Sequence, residues 1–547
     1  MGEPLKVVLS DKSISNDLEG TSILEVNNTY TSQFIFAISS PIGTNKKDVI
    51  DLIRSTLKSD FGYKEVSVIK LSEVITQFNT ADVPQYLDKT PGFKKLKSKI
   101  DGGNNIRKNR GCEFLSEIAI AKIHLDSRLA TGKDEPKPKD YQPRRDCYII
   151  DSIKNSDELK LLRSIYGELF YLFSIYAPEE VRKDYLINQN NISPAEADEL
   201  ILKDEFEKEK YGQNVRQTFI EGDFFVNIYE KEKADLKKDV ERYINLIFQT
   251  EVITPNQHET AMYEAKSASS NSACLSRQVG ASITNNKDEL ISTGWNDVPK
   301  FGGNLYSNPN SVKSDHRCFN LETGYGYCSN DKEKDELVHN EEIVTSLNNL
   351  INKTLQTSHK VSFKSEDFSD FKQSIKVALR RNTRLKDLIE FSRSVHAEMH
   401  AIINGSQLSG SEIIGGKLYC TTYPCHNCIR HIIASGIQEV YYIEPYKKSK
   451  AIALHNDSVT ESYNKESNKV KVLMYNGVAP RKFLSFFSSI NPRKDSMGKV
   501  KAFDKKKARP INARTIQAIY SNEEITIKYL SNKGVTSKEI GTFFGGG

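Results

Sequence analysis

Three side chains in the C-terminal half of the chain have the types and spacing of ligands for a single metal ion. His396 lies in "SRSVHAEMHAIIN", and Cys425 and Cys428 lie further along in "YPCHNC". Imidazole and thiolate groups are preferred ligands of zinc, and three protein ligands with one open position are the arrangement of a catalytic zinc. The spacing therefore predicts a catalytic zinc held by His396, Cys425 and Cys428.

Two other interpretations of the C-x-x-C pair are open at this point. A redox-active dithiol would follow a strand in a thioredoxin-like unit, and it would have no use for a histidine on another segment. A structural zinc would need a fourth ligand, for which His400 and Cys420 are the nearest candidates.

Glu398, two residues after His396, restricts the local geometry. Two residues apart on a helix, side chains point about 200° away from each other around the axis. Both can reach one site only if His396 lies at the irregular start of the helix and Glu398 lies just inside it. Pro424 marks a helix start at Cys425, where the helix dipole favours thiolates. We therefore expect two helix N-termini to meet at the metal.

The order H-x-E and then P-C-x-x-C resembles the signature of zinc-dependent nucleobase deaminases. The resemblance implies a catalytic zinc on His396, Cys425 and Cys428. It also implies that Glu398 is the acid and base that moves protons while water replaces the amino group at C4 of cytosine.

A second stretch, "CLSRQVGASITNNKDELISTGWND", resembles the opening of deoxycytidylate deaminases. That family has R-x-V-G-A on one strand and G-x-N at the end of the next, which match Arg277–Ala281 and Gly294–Asn296. The family's asparagine contacts the sugar hydroxyl, so the resemblance implies that Asn296 binds substrate; a structural turn is the alternative. Arg317 is a candidate for binding the substrate phosphate, since a guanidinium suits that geometry.

The phrases "GWNDVPKFGGNLY" and "SDHRC" resemble a two-domain bacterial family that acts in defence against phage. Its members join a P-loop-kinase-like domain to a deoxycytidylate-deaminase-like domain. The resemblance implies deamination of dCTP, dCMP or both to dUTP and dUMP, which would deplete the dCTP pool. The alternatives are a housekeeping dCMP deaminase and a cytidine deaminase acting on single-stranded DNA or RNA.

His316, Cys318 and Cys328 form a second group of candidate ligands, with Cys274 or His339 as further members. Some deoxycytidylate deaminases carry a second metal, so the resemblance implies a structural zinc here. Ordinary loop residues are the alternative.

The elements that must position these residues indicate an α/β protein. In the N-terminal part, an apolar run at 34–39, an amphipathic helix at 46–58 and a strand at 65–70 predict a parallel sheet. The predicted units are a loose tail at 1–30, a P-loop-kinase-like parallel-sheet domain at 31–190, a helical connector at 191–257, an α/β/α cytidine-deaminase-like zinc domain at 258–490 and a basic, poorly ordered tail at 491–547.

The first loop of the N-terminal domain departs from a phosphate-binding P-loop. Alignment on Lys46 puts Ser40 and Asn45 where the pattern has glycine, and Lys47 where it has the magnesium-binding hydroxyl. Gly43 and Lys46 remain candidates for binding a nucleotide, with Asp151 at the end of a later strand. We expect nucleotide sensing or regulation here rather than phosphoryl transfer.

Composition and charge exclude few classes of protein. The net charge of +5 is spread widely, whereas a polynucleotide-binding protein more often concentrates basic residues on one face. No run approaches the roughly 18 to 20 apolar residues that span a bilayer, so we expect a cytoplasmic protein without a membrane partner. Because unregulated loss of dCTP would harm the host, we also expect a homo-oligomer and a resting state inhibited by the first domain or by a partner RNA or protein.

Overall fold

The computed structural model describes residues 26–78, 88–307, 312–339, 365–445, 449–462 and 468–544, apart from a few single or paired residues inside these ranges. The described residues form two six-stranded sheets with helices on their faces. The predicted α/β class is therefore confirmed. Residues 1–25, most of the expected N-terminal tail, lie outside the described residues. Among the described helices, none has the length and apolar character needed to cross a membrane.

The N-terminal sheet has the strand order β12-β5-β4-β1-β3-β2, and all its neighbours are parallel except β12 and β5. Central β1 is buried along its whole length, as its continuous apolar run predicts for a strand covered on both faces. The strands are β1 (Phe34–Ser39), β2 (Glu65–Lys70), β3 (Asp146–Asp151), β4 (Phe170–Tyr176), β5 (Phe224–Asn227) and β12 (Gly477–Val478).

Helices cover this sheet by burying one apolar face each. The helix Lys47–Ser59 buries Val49, Ile53 and Leu57, which recur at the spacing of one helical face. The helices of this part are Lys47–Ser59, Leu71–Phe78, Pro91–Arg110, Phe114–Leu129, Ser156–Tyr166, Glu179–Asn190, Pro194–Glu205, Val215–Phe219 and Lys233–Phe248.

The C-terminal sheet has the order β10-β11-β9-β8-β6-β7, in which β6 is antiparallel to both of its neighbours. The consecutive strands β6 and β7 form a hairpin. The strands are β6 (Gly280–Thr284), β7 (Leu290–Trp295), β8 (Lys417–Thr422), β9 (Glu439–Glu444), β10 (Val459–Thr460) and β11 (Val470–Met474). The helices are Gln257–Ser269, Ser329–His339, Ser365–Asn382, Ala397–Ser409, His426–Ala434, Ala451–Leu454 and Phe483–Phe487.

Two glycines allow helices to pack directly on the β6–β7 hairpin. A Cβ atom on Gly294 would lie 2.4 Å from the backbone nitrogen of Ala401, in the helix that follows His396. A Cβ atom on Gly280 would lie 1.9 Å from the backbone oxygen of Ala265. Both contacts are far inside van der Waals distance, so these motif glycines serve helix–sheet packing.

Two expected boundaries need correction. The segment 191–257, expected to be a helical connector, contains β5 and extends the N-terminal sheet. The segment 491–547, expected to be a poorly ordered tail, contains the helices Ile516–Asn532 and Ser537–Phe543, which pack on Phe114–Leu129. Leu530 is fully buried in that contact. Burial of the apolar faces of these helices holds the segment against the N-terminal domain.

A buried carboxylate connects the two parts of the molecule. Glu259 accepts hydrogen bonds from Arg242 at 2.7 and 2.6 Å, and from the backbone N–H of Val478 in β12 at 3.0 Å. It also accepts from the N–H of Asn256 and so caps its own helix. Since β12 pairs with β5, this carboxylate holds the N-terminal sheet and the first helix of the C-terminal part together.

We predict that Glu259→Ala lowers the free energy of unfolding by about 3 kcal/mol, because it leaves a partly buried guanidinium and a buried N–H without their acceptor. Urea denaturation followed by circular dichroism measures the change. The control is Glu241→Ala, which removes a partly exposed partner of Lys237 and should cost less than about 0.5 kcal/mol. Equal, small losses in both variants would contradict this role for Glu259.

Candidate functional site

His396 and Glu398 lie at the start of the helix Ala397–Ser409. His396 is the N-cap, with extended backbone angles (φ −74°, ψ 154°), and Glu398 lies in the first turn. Because the N-cap residue does not have helical backbone angles, the side chains of His396 and Glu398 are not separated by the roughly 200° that two helical positions would give. The helix therefore begins in the irregular way that the H-x-E spacing requires if both side chains are to reach one site.

Cys425 and Cys428 lie at a second helix start. Cys425 is the N-cap of His426–Ala434, shortly after β8, and the backbone N–H of Cys428 donates to the oxygen of Cys425 at 3.0 Å. The positive end of the helix dipole lies at these sulfurs and favours thiolates.

The three expected ligands meet between these two helix starts. His396 Nδ1 lies 3.4 Å from Cys425 Sγ and 3.2 Å from Cys428 Sγ. Within the described ranges, this is the only group of three His, Cys, Asp or Glu side chains whose ligand atoms lie within 4.8 Å of one another. Ligands bonded to one tetrahedral zinc at about 2.0–2.3 Å have separations of this size, so the donor set fits zinc.

The charges at the site also suit a metal. Hydrogen bonds with Cys428 and His396 lower the pKa of the Cys425 thiol to about 4. Burial lowers the pKa of His396, but the hydrogen bond with Cys425 outweighs burial and raises this pKa to about 9. A thiolate and an imidazolium thus lie in contact, and a cation binding there would displace the imidazolium proton.

Glu398 is 4% exposed, and burial raises the pKa of its carboxyl group above the ordinary value. Burial thus favours the protonated carboxyl group, which is the form that can donate a proton.

The two candidates for a fourth protein ligand are engaged elsewhere. His400 Nδ1 accepts from the backbone N–H of Trp295 at 3.2 Å, and its Nε2 lies 3.0 Å from Asn304 Oδ1. Cys420 is fully buried in β8 and does not belong to the ligand group. Three protein ligands leave one coordination position open, which favours a catalytic over a structural zinc.

A cavity of about 160 Å³ opens onto the ligands and has Asn296 and Glu398 in its wall. Asn296 Nδ2 donates to the oxygen of Arg277 at 2.9 Å, and its Oδ1 accepts from the N–H of Val279 at 2.7 Å. The side-chain amide of Asn296 therefore holds in place the backbone of residues 277–279, which leads into β6. Substrate binding by Asn296 stays a prediction.

Arg317, the expected phosphate ligand, does not line this cavity. Its guanidinium is 7% exposed and donates to Asp315 from Nε at 3.0 Å and from Nη2 at 2.7 Å. Asp297 lies 3.6 Å from Nη1 on another side. Arg317 thus holds its own loop in this structure, and binding of substrate phosphate by Arg317 stays a prediction.

The candidate second metal site is not assembled. Cys318 and Cys328 line one small cavity with Cys274, but with His316 they do not form a group within ligand distance among the described residues. His316 Nδ1 lies 3.3 Å from the oxygen of Thr323, and Cys328 Sγ lies 3.4 Å from Ser276 Oγ.

The degenerate phosphate loop is occupied by the protein's own carboxylates. Lys46 forms an ion pair with Asp151 and donates to Ser152 Oγ at 2.8 Å. The N–H of Ile42 donates to the buried carboxylate of Asp204 at 2.7 Å. These donors are the ones a phosphate would use.

Gly43 keeps the left-handed conformation (φ +82°) that the loop requires. Lys154 Nζ donates to Asp204 at 2.8 Å and to the backbone oxygen of Ser40 at 2.8 Å, which closes the loop further. The structure therefore brings Lys46 and Asp151 together as an internal ion pair.

Arg277, Tyr423 and Glu444 are members of the site that the sequence analysis did not single out for it. Arg277 and Tyr423 line the cavity beside the ligands. Arg277 Nη1 donates to Glu444 Oε1 at 2.8 Å, and the backbone N–H of Tyr423 donates to the backbone oxygen of Glu444 at 2.8 Å. Arg277 was visible as the first residue of the R-x-V-G-A match.

Residues 255–444 match a family model described as the cytidine and deoxycytidylate deaminase zinc-binding region. The expected catalytic zinc is confirmed by this match together with the His/Cys/Cys group. The C-terminal part of the chain is thus a deaminase-type zinc-binding domain.

Individual relatives match parts of the chain. The "Deoxycytidylate deaminase" of Enterobacteria phage T4 is 29% identical over 195 residues, which are 35% of this chain and 79% of that protein. "ComE operon protein 2" of Bacillus subtilis is 46% identical over 56 residues, 10% of this chain and 29% of its own length. The solved dCMP deaminase of cyanophage S-TIM5, in complex with dCMP and dUMP, is 20% identical with a TM-score of 0.22, covering 41% of this chain and 99% of that one.

We predict one zinc per chain in the purified protein, measured by plasma mass spectrometry, and loss of that zinc in Cys428→Ala. The control is Cys420→Ala, which removes a buried thiol from the neighbouring strand and should leave the zinc content unchanged. Retention of zinc by Cys428→Ala would contradict the ligand set. A second zinc lost on Cys318→Ala would show that the insertion site forms after all.

Proposed function

We propose that this chain catalyses the zinc-dependent hydrolytic deamination of deoxycytidine nucleotides, dCTP, dCMP or both, to dUTP and dUMP. The observation that supports the proposal best is the three-ligand group with Glu398 buried beside it, inside a region that matches the deaminase zinc-binding model. The relatives named deoxycytidylate deaminase favour a deoxycytidine nucleotide as substrate.

His396, Cys425 and Cys428 would hold the zinc. A bound zinc lowers the pKa of water toward about 7 and so supplies a nucleophile at neutral pH. Glu398 would take one proton from the attacking water and deliver it to N3 of the cytosine ring as the water oxygen bonds to C4. It would then carry the remaining proton of that oxygen to the amino group, which leaves as ammonia when its bond to C4 breaks. The position of Glu398 in the wall of the metal cavity supports this role, and burial raises its pKa, which favours the form that donates a proton.

Substrate binding requires a cation for the phosphate and polar groups for the sugar. Arg277 lines the cavity with a half-exposed guanidinium, and an arginine can bind phosphate through two parallel hydrogen bonds. Asn296 forms the adjoining wall and keeps its proposed contact with the sugar hydroxyl.

The proposed biological role is depletion of dCTP during phage infection, which rests on the resemblance to the two-domain defence family. It includes a P-loop-kinase-like origin for the N-terminal domain, a homo-oligomer, and an inhibitory RNA or protein partner. Nucleotide pools measured in infected cells test the role: dCTP should fall only where the active protein is present.

We predict that Glu398→Gln lowers turnover of dCMP and dCTP by at least about a hundred-fold, because the isosteric amide cannot transfer the proton. Release of ammonia measures turnover, and metal analysis should still find one zinc per chain. The exposed Glu412→Gln, past the end of the same helix, is the control and should be fully active. Activity surviving in Glu398→Gln would contradict the proposed acid–base role.

We further predict that Arg277→Gln raises KM for dCMP about ten-fold or more, because a charge-assisted contact with the phosphate is lost. Deoxycytidine has no phosphate, so its turnover is the internal control and should change little. An equal loss with both substrates would show that Arg277 supports the site structurally and does not bind phosphate.

A further inference from the structure

A larger cavity, of about 400 Å³, lies between the two sheets and away from the metal ligands. Pro41 and Tyr176 come to its wall from the N-terminal sheet, and Tyr442 and Met474 come from strands β9 and β11 of the C-terminal sheet. Its volume lies within the range of roughly 300–1,000 Å³ that is usual for small-molecule sites.

The position of this cavity follows from the strand order of the N-terminal sheet. Strand β1 is followed by a connection toward β2 on one side, and its neighbour β4 by a connection toward β5 on the other. Connections that diverge from adjacent parallel strands leave a crevice at the carboxyl ends of those strands, where α/β proteins bind their ligands. Pro41 follows β1 and Tyr176 ends β4, so the cavity lies at that crevice.

The chemistry of the wall combines flat rings with cations. Tyr176, Phe219 and Tyr423 supply aromatic surface, and Arg182 and Arg216 supply guanidinium groups. Nucleobases stack on aromatic side chains, and arginine is the usual partner of a phosphate.

A carboxylate in the wall adds a polar contact. Glu461 lines the cavity and accepts a hydrogen bond from the hydroxyl of Tyr423 at 2.9 Å. A carboxylate accepts hydrogen bonds from the exocyclic amine of a base or from sugar hydroxyls.

The phosphate loop beside the cavity offers no competing place for a phosphate. Its N–H at Ile42 is already bonded to Asp204, and Lys46 is paired with Asp151. Arg216 lines the cavity, and its guanidinium donates a hydrogen bond to Glu444 Oε1 at 2.8 Å. An incoming phosphate therefore finds its cation at Arg216 and not in the loop.

We propose that the interdomain cavity is a binding site for a mononucleotide, with the base against the tyrosines and the phosphate at Arg216. Two contacts connect this site with the metal cavity. Tyr423 lines both cavities. Glu444 Oε1 accepts from Arg216 and from Arg277, each at 2.8 Å. A phosphate that withdraws Arg216 leaves Glu444 to Arg277, so occupancy changes the surroundings of the metal cavity.

Calorimetric titration of the full chain with AMP, GMP and dTMP, none of which contains cytosine, tests the site without relying on deamination. At least one probe should bind with a Kd of about 100 µM or tighter. Arg216→Gln and Tyr176→Leu should each weaken that binding about ten-fold or more. The exposed Arg430→Gln is the matched control and should bind as the unchanged protein does.

Failure of all three probes to bind below about 1 mM would overturn the proposal. So would unchanged binding in both cavity variants, or equal weakening in Arg430→Gln. If Arg277→Gln abolishes binding while Arg216→Gln retains it, the probe occupies the metal cavity and the proposal is wrong. Circular dichroism melting of each variant shows whether the chain remains folded. The two substitutions lie on different elements, so if one variant fails to fold, the other still tests the proposal.

Discussion

The site depends on one geometric constraint: two helices must begin at the same point. His396 and Cys425 are both N-caps, and their partners Glu398 and Cys428 lie in the first turns that follow. At a helix start the backbone N–H groups and the dipole favour negative charge, so Cys425, which caps its helix, is well placed to bind as a thiolate. The same constraint explains Gly294, whose missing side chain lets the first of these helices lie directly on β7.

The N-terminal part contributes through contacts with that arrangement. Its sheet is joined to the C-terminal part through the pairing of β5 with β12 and through the buried carboxylate of Glu259. In the loop that follows β1, the backbone N–H of Ile42 donates to the buried carboxylate of Asp204. Arg216 then reaches across to Glu444 beside the metal cavity. The N-terminal part is therefore in electrostatic contact with the site.

The metal ligands could be predicted from the sequence because each part of the pattern is local. The histidine, the two cysteines and the residues that begin a helix can each be recognised within a few consecutive residues. Strand β1 was equally visible, since a strand buried on both faces is apolar throughout. Strand β5 was missed because Phe224–Asn227 has only three apolar residues, and its pairing with β4 depends on residues far away in the chain. The helix Ile516–Asn532 was not predicted, because the basic stretch before it led us to expect a poorly ordered tail. The pairing of Arg317 with its neighbour Asp315 was not predicted, because only the folded loop shows that contact.

The central claim is that water, activated beside Glu398, replaces the amino group of a deoxycytidine nucleotide. Incubation of the zinc-loaded protein with dCMP or dCTP in water labelled with oxygen-18, followed by mass spectrometry of the product, tests it most directly. The account predicts a deoxyuridine nucleotide that carries one labelled oxygen on its base, together with released ammonia. Unchanged dCMP and dCTP after prolonged incubation with zinc-loaded, folded protein would contradict it.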